Sequence, residues 1–206
     1  MPSLSGFIRL FQPAFFLLMF QPVLAQKTAS TSKGEMVNGL KSGKWEYFYP
    51  DGKPMATEHY VQGKLEGRVT AFFPDGKISS IENWHDDMPE DSAFYFFPDG
   101  RIFRKGIYKA GQYEGIWLTY FENGKLSQQV AYRAGLPEGP FLGYFESGFL
   151  KEEGFYKTGK KEGQFVFYYE GKGEMPEAIG QYLADTKAGK WFYFDRKGKL
   201  KSTERH

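Results

Sequence analysis

The 206-residue sequence predicts an all-β protein, built of tandem β-hairpin repeats with a 24-residue period that form one elongated, twisted antiparallel sheet. Three observations carry this expectation. The pentapeptides FYPDG, FFPDG and FFPDG end at residues 52, 76 and 100, each 24 residues after the last. Aromatic residues make up 19% of the chain, and glycine stands at 25 copies against 11 prolines; aromatics favour strands and glycine favours turns. Glycine also interrupts the chain every ~10 residues, too often for a stable helix.

Taken in chain order, residues 1–25 read as a signal peptide. Arg9 is their single charge, an apolar run covers 14–20 (AFFLLMF), and the small Ala25 precedes a plausible cleavage point. The run is bounded by Gln12-Pro13 and Gln21-Pro22. It is shorter than the ~20 apolar residues of a spanning helix. Export to the periplasm, outer envelope or exterior is therefore expected, after cleavage near Ala25. Residues 26–36 are polar and read as a flexible leader.

Residues 37–206 read as the repeat array, about seven units long. Units open at Gly43, Gly67, Asp91, Gly115, Gly139, Gly163 and Gly189, with two extra residues in the sixth and a truncated seventh. Residues 37–42 resemble the tail of an earlier unit. Each unit begins with an aromatic strand, as in Trp45 to Tyr49. A three-residue turn follows. In Phe73-Pro74-Asp75-Gly76, proline presets φ, aspartate tolerates the second corner, and glycine takes positive φ. The turn glycines are Gly52, Gly76, Gly100, Gly124, Gly148 and Gly198. A second strand follows, as in Lys77 to Trp84. Glycine-flanked return turns close the units, as in GKLEG (63–67) and GKKEG (159–163).

Strand alternation assigns the faces. Phe72 pairs with Ile78, Phe96 with Ile102, Tyr120 with Leu126, and these share a face with Tyr60, Trp84, Tyr108, Tyr132 and Tyr156. That face is the expected core. The opposite face then holds Trp45, Trp117 and Trp191, the candidate interaction surface, because tryptophan dominates interface hot spots. The insertion at Gly171-Lys172-Gly173-Glu174 is a second candidate contact.

Chemistry finds little support. The chain has no cysteine, which excludes disulfides, thiol catalysis and thiolate metal sites. Its net charge of +2 comes without a basic stripe, so no nucleic-acid partner is indicated. His59, His85 and His206 occupy unrelated positions, and His85-Asp86-Asp87 reads as an irregular return turn. Glu66, Glu90, Glu114, Glu138 and Glu162 recur once per unit and read as a solvated edge. No phosphate loop, nucleophile elbow or dinucleotide fingerprint is present. No enzyme activity, no cofactor and no metal site are expected.

The stretches Gly43-Lys44-Trp45-Glu46-Tyr47-Phe48-Tyr49-Pro50-Asp51-Gly52-Lys53 and Gly189-Lys190-Trp191-Phe192-Tyr193-Phe194 carry a resemblance. With the later aromatic and the glycine-flanked return, they resemble the MORN-repeat variant family, especially its bacterial branch labelled as antitoxins. The resemblance covers about residues 37–206. It implies tandem hairpins in a twisted sheet and a role as a scaffold, a dimerising module or a membrane-associated module. The antitoxin label implies binding of a protein toxin. The expected partner is a protein, with peripheral envelope, membrane or glycan association as the alternative. The oligomeric state is left open.

Overall fold

In the computed structural model, which describes residues 31–206, the chain forms one antiparallel sheet of 17 strands. No helix occurs among the described residues. Strands pair in chain order, from Ser32–Val37 against Leu40–Phe48 to Thr186–Phe194 against Leu200–Arg205. Two strands are two-residue pieces, Lys64–Leu65 and Lys160–Lys161, each one residue short of the longer strand that follows. The signal segment and residues 26–30 of the leader lie outside the described residues. The rest of the leader needs correction. Ser32–Val37 is a strand, turned by Asn38-Gly39 into Leu40–Phe48. It holds the repeat position of a unit's second strand, with Gly34 in the place that Glu58 takes one period later.

Two turn types alternate along the chain. At the first, the Phe73 carbonyl accepts from Gly76 N–H and Phe73 N–H donates to the Lys77 carbonyl, both at 2.8 Å. Asp75 Oδ1 accepts from Lys77 N–H at 3.0 Å, and Gly76 has φ +88°. At the second, two residues with positive φ make a type I′ turn, whose twist matches that of the flanking strands. Gln62-Gly63, Asp86-Asp87 and Ala110-Gly111 occupy it in three consecutive units. Asp86 and Asp87, at φ 48° and 64°, are thus the corner of a return turn.

Beside every first-type turn the register slips by one residue. Phe48 faces Pro54, but Tyr47 faces Ala56. Phe72 faces Ile78, but Ala71 faces Ser80. The same bulge sits at Phe96, Tyr120, Tyr144, Tyr168 and Phe194. A one-residue slip exchanges the two faces for the remainder of a strand. This corrects the face assignment made from simple alternation. Tyr60 and Trp84 do belong to the core, but they share it with the tryptophans. Trp45, Trp117 and Trp191 are 8%, 1% and 1% exposed, so the candidate interaction surface built on them is withdrawn. The turn-proximal pairs lie on the other face, where Ile78 is 38% exposed.

The core face has no second layer over it, so its rings cover one another and the strands beneath. Trp117 meets Tyr108 at 5.1 Å and Tyr113 at 4.5 Å, both edge to face. Trp191 meets Tyr182 at 5.2 Å in the same manner. Three indole N–H groups donate to a carbonyl ten residues back, Trp45 to Glu35, Trp117 to Ile107 and Trp191 to Gln181, while Trp84 donates to the Glu82 carboxylate at 3.0 Å. The rings lie flat on glycine. A Cβ at Gly34, Gly106 or Gly180 would sit within 2.3 Å of the facing indole. Burial of a ~200 Å² ring contributes at most ~5 kcal/mol each, by area.

Hydrogen bonds then tie each unit to the next. The once-per-unit glutamates are acceptors for the following return turn. Ala110 N–H donates to Glu90 at 2.5 Å, Ala134 to Glu114 at 3.0 Å, Thr158 to Glu138 at 2.6 Å and Ala184 to Glu162 at 2.9 Å. Glu66 receives both Asp86 N–H and His85 Nδ1. The second residue of each return turn donates to a carbonyl one residue before that glutamate, as Gly111 does to Pro89 and Gly135 to Tyr113. At the opposite turns, Lys53 Nζ reaches the Pro74 carbonyl and Lys77 Nζ the Pro98 carbonyl.

Candidate interaction surface

With the tryptophans inward, the other face of the sheet is left bare by the described residues. Its central row runs through every long strand, one residue per strand. Ile81 faces Phe94, Phe94 faces Lys105, and Lys105 faces Leu118. The row continues through Gln129, Leu142, Glu153, Val166, Ile179 and Phe192. All of these are half-buried, not covered. The neighbouring row brings Ile107, Ile116 and Phe155 to this face at 43%, 45% and 44% exposure. A largely apolar band, interrupted by Lys105, Gln129 and Glu153, therefore crosses the middle of the sheet, with Arg68, Lys190, Arg205 and the Glu46-paired Lys44 exposed toward its ends.

The band is uneven. Between the second and third units, Arg68, Ile81, Asn83, Ser92, Phe94 and Phe96 line a shallow groove of ≈ 350 Å³. Asn83 Nδ2 donates to the Ser92 carbonyl and hydroxyl at 3.1 and 3.2 Å, which holds the groove wall. Ser92 follows Asp91, which takes the unit-opening position with φ 64°. Tyr168, at the far end, donates to Glu153 at 2.5 Å. Burial and that carboxylate push its hydroxyl above the usual tyrosine range. The face can bury apolar area and offer cations at its margins, and no acid–base pair converges on the groove.

Simple alternation already sets Ile107 and Phe155, next to Tyr108 and Tyr156, opposite the expected core, although it singles out neither as a contact residue. Ile116, in phase with Tyr120, falls on the core face in that reading because the bulge beside Tyr120 is not counted. His59 is exposed on this face and His85 is held at the turn by Glu66. The insertion at Gly171–Glu174 forms a longer corner, closed by Tyr169 N–H on the Met175 carbonyl at 2.9 Å.

Comparison with known proteins adds the following. The family model described as MORN repeat variant matches residues 41–62, 65–86, 113–134 and 137–158. The unmatched segment between the second and third matches contains Asp91 and folds into the same hairpin, Met88–Phe96 with Ile102–Lys109. No curated protein matches the chain. Among solved structures, a crystal structure of TarM is 15% identical, with 55% of this chain and 22% of that chain covered and a TM-score of 0.37. An S. aureus TarM mutant in complex with fondaparinux, alpha-GlcNAc-glycerol and UDP gives 14%, 55%, 22% and 0.37. A GtfA/B complex bound to UDP and GlcNAc gives 17%, 62%, 25% and 0.23. The chain spans a quarter or less of the length of these structures. No functional assignment follows from likenesses of this kind.

Proposed function

This chain belongs to the MORN repeat variant family, and we propose that it is an exported, non-catalytic module that holds a protein partner at the cell envelope through the bare face of its sheet. MORN repeats are in general modules for protein or membrane interaction, and the family is in general non-catalytic. The observation that carries the protein reading is the apolar band with Ile107, Ile116 and Phe155 exposed at its centre. Exposed apolar patches of this kind mark contact surfaces. Cations at the margins favour a partner with acidic groups around an apolar centre. Export is supported by the features of residues 1–25.

The test is recovery of the mature chain from its native host after cross-linking, with partners read by mass spectrometry. Ile116→Lys and Phe155→Lys are expected to lose the partner while leaving the melting temperature within ~2 °C, as surface substitutions do. Retention of the same partner by both variants would remove the bare face from the reading. Processing is checked separately, by N-terminal sequencing of the mature chain.

A further inference from the structure

The core face carries four cations laid against aromatic rings, and three of them are neutralised within the chain. Lys41 Nζ lies 4.5 Å from the Trp45 ring and reaches Tyr60, whose hydroxyl donates to Glu58. Lys187 lies 4.2 Å from the Trp191 ring and donates to Tyr193, whose hydroxyl donates to Glu204. Lys161 lies 4.7 Å from the Phe165 ring and pairs with Glu152 at 3.5 Å. The fourth, Arg104, stacks at 4.7 Å on Trp117 and 4.8 Å on Tyr113. No carboxylate lies within ion-pair distance of it among the described residues. Its Nε is buried without a hydrogen-bond partner. Arg104 is half-buried and interacts with the Tyr132 hydroxyl, yet a partly desolvated charge without a counter-ion is costly, and rings and a neutral hydroxyl offset it only in part.

The surroundings of Arg104 are also unlike the rest of that face. One row crosses the core face from Tyr47 through Ala56, Ala71 and Ser80 to Tyr95, and ends in Phe167, Ala178 and Tyr193. Between Tyr95 and Phe167 it holds Arg104, Thr119, Gln128, Gly143 and Glu152. This is its longest stretch without a ring, and all but Gly143 carry polar side chains. Thr119 and Gly143 stand where other units place Tyr47, Tyr95, Phe167 or Tyr193. Gln128 Nε2 donates to Thr119 Oγ1 at 3.4 Å. The result is a polar stretch of the core face between Tyr95 and Phe167, with Arg104 at one end and the Glu152 side chain over Gly143 at the other.

We propose that this polar stretch is a carboxylate-binding site, in which the guanidinium of Arg104 pairs with a ligand carboxylate and Thr119 and Gln128 supply further polar contacts. A planar carboxylate matches the guanidinium fork. The site holds one uncompensated positive charge, since Lys161 and Glu152 cancel, and this favours a monoanion over a dianionic phosphate. The site lies on the face opposite the proposed partner surface, so either reading can fail alone.

The test is an NMR titration of the ¹⁵N-labelled mature chain at constant ionic strength. The probes are N-acetylglutamate amide, glucuronate and inorganic phosphate. Saturable movement of the Trp117 indole resonance is expected, with Kd of about 1–10 mM for one ion pair on a preformed site. The Trp45 and Trp191 indoles stay in place. Response to either carboxylate alone identifies its source as peptide or sugar. Arg104→Gln should weaken binding about tenfold or more, and Arg104→Lys and Thr119→Val should weaken it several-fold. Failure of both carboxylates to move Trp117 overturns the proposal. So does an undiminished response in Arg104→Gln, or in the other two variants should that one not fold. A phosphate response equal to that of the carboxylates overturns the assigned ligand class.

Discussion

Gly106→Ala measures how closely the core rings lie on the sheet. The added methyl would stand 2.2 Å from Trp117 Cδ2 and 2.4 Å from Cε2. Carbon–carbon contacts prefer ~3.5–4.0 Å, so the ring must retreat by about 1.5 Å. It has nowhere to go. Tyr108 and Tyr113 pack against it edge to face, and Arg104 stacks on it. Overpacking of this kind costs ~1–3 kcal/mol. Retreat also loosens the indole bond to the Ile107 carbonyl, 2.9 Å long, at a further ~1 kcal/mol. Relief of glycine's excess chain entropy returns ~0.5–1 kcal/mol. The net expectation is a loss of about 2–3 kcal/mol, or ~4–10 °C in melting temperature for a chain of this size.

The assay is urea unfolding of the protein, followed by tryptophan emission and far-UV circular dichroism together. Two probes are needed because repeat arrays can open locally around one unit. Trp117→Val in the same chain should remove the clash, so the double variant costs less than the sum of the singles. The chain itself supplies the precedent: on the following strand Glu82 faces Ala93 and Val130 faces Phe141, so where glycine is absent the side chain set against that position by the following strand is smaller than tryptophan. A change below ~0.5 kcal/mol in Gly106→Ala would show that the ring has slack and would refute the flat-packing argument.

Glu138→Gln weakens the acceptor of Thr158 N–H and should cost about 1 kcal/mol, read as faster hydrogen exchange at Thr158. Ala134, at φ 48° in a type I′ corner, is better served by asparagine; Ala134→Asn should stabilise by about 0.5–1 kcal/mol in thermal unfolding. The exposed Glu66–His85 pair sets a pH window. The histidine hydrogen bond lowers the Glu66 carboxyl and raises the His85 ring. The stabilisation is therefore lost as pH falls through the lowered Glu66 value, and lost again as pH rises through the raised His85 value. NMR titration of His85 should show the raised value in wild type, and Glu66→Gln should bring it back down. Burial and the Glu58 hydrogen bond push the Tyr60 hydroxyl up to about 12; spectrophotometric titration should find it ionising after the exposed tyrosines.

What could be read from the sequence was local. Pro74-Asp75-Gly76 states its own turn, and its recurrence 24 residues on states the repeat. The facing pairs Phe72–Ile78 and Phe96–Ile102 followed from turn length alone. The bulge next to them did not. It changes neither spacing nor composition, yet it exchanges the faces, so Trp45, Trp117 and Trp191 moved from surface to core. The glutamates were visible as a row, but their partners were not. Each bond joins residues about twenty positions apart in different units, and nothing near Glu114 announces Ala134. The polar stretch at Arg104 was missed for a similar reason: Thr119, Gln128 and Gly143 look unrelated until the register places them side by side.

The two faces follow from one constraint. A single sheet cannot bury both sides, and a lone hairpin buries almost nothing. Putting the largest rings on one side lets each unit cover its neighbour's glycine, and the turn-to-glutamate bonds hold that stacking in register. The first and last described strands, SKGEMV and LKSTER, are exposed throughout and carry lysine and glutamate, with arginine in the last, which discourages pairing with another chain. The large rings that hold the units together all lie on one face. Exposed isoleucine and phenylalanine on the opposite face contribute little to folding in a monomer. Their retention at the centre of the bare face, with the edges guarded by charge, is what an adhesive surface requires and what a merely structural sheet does not.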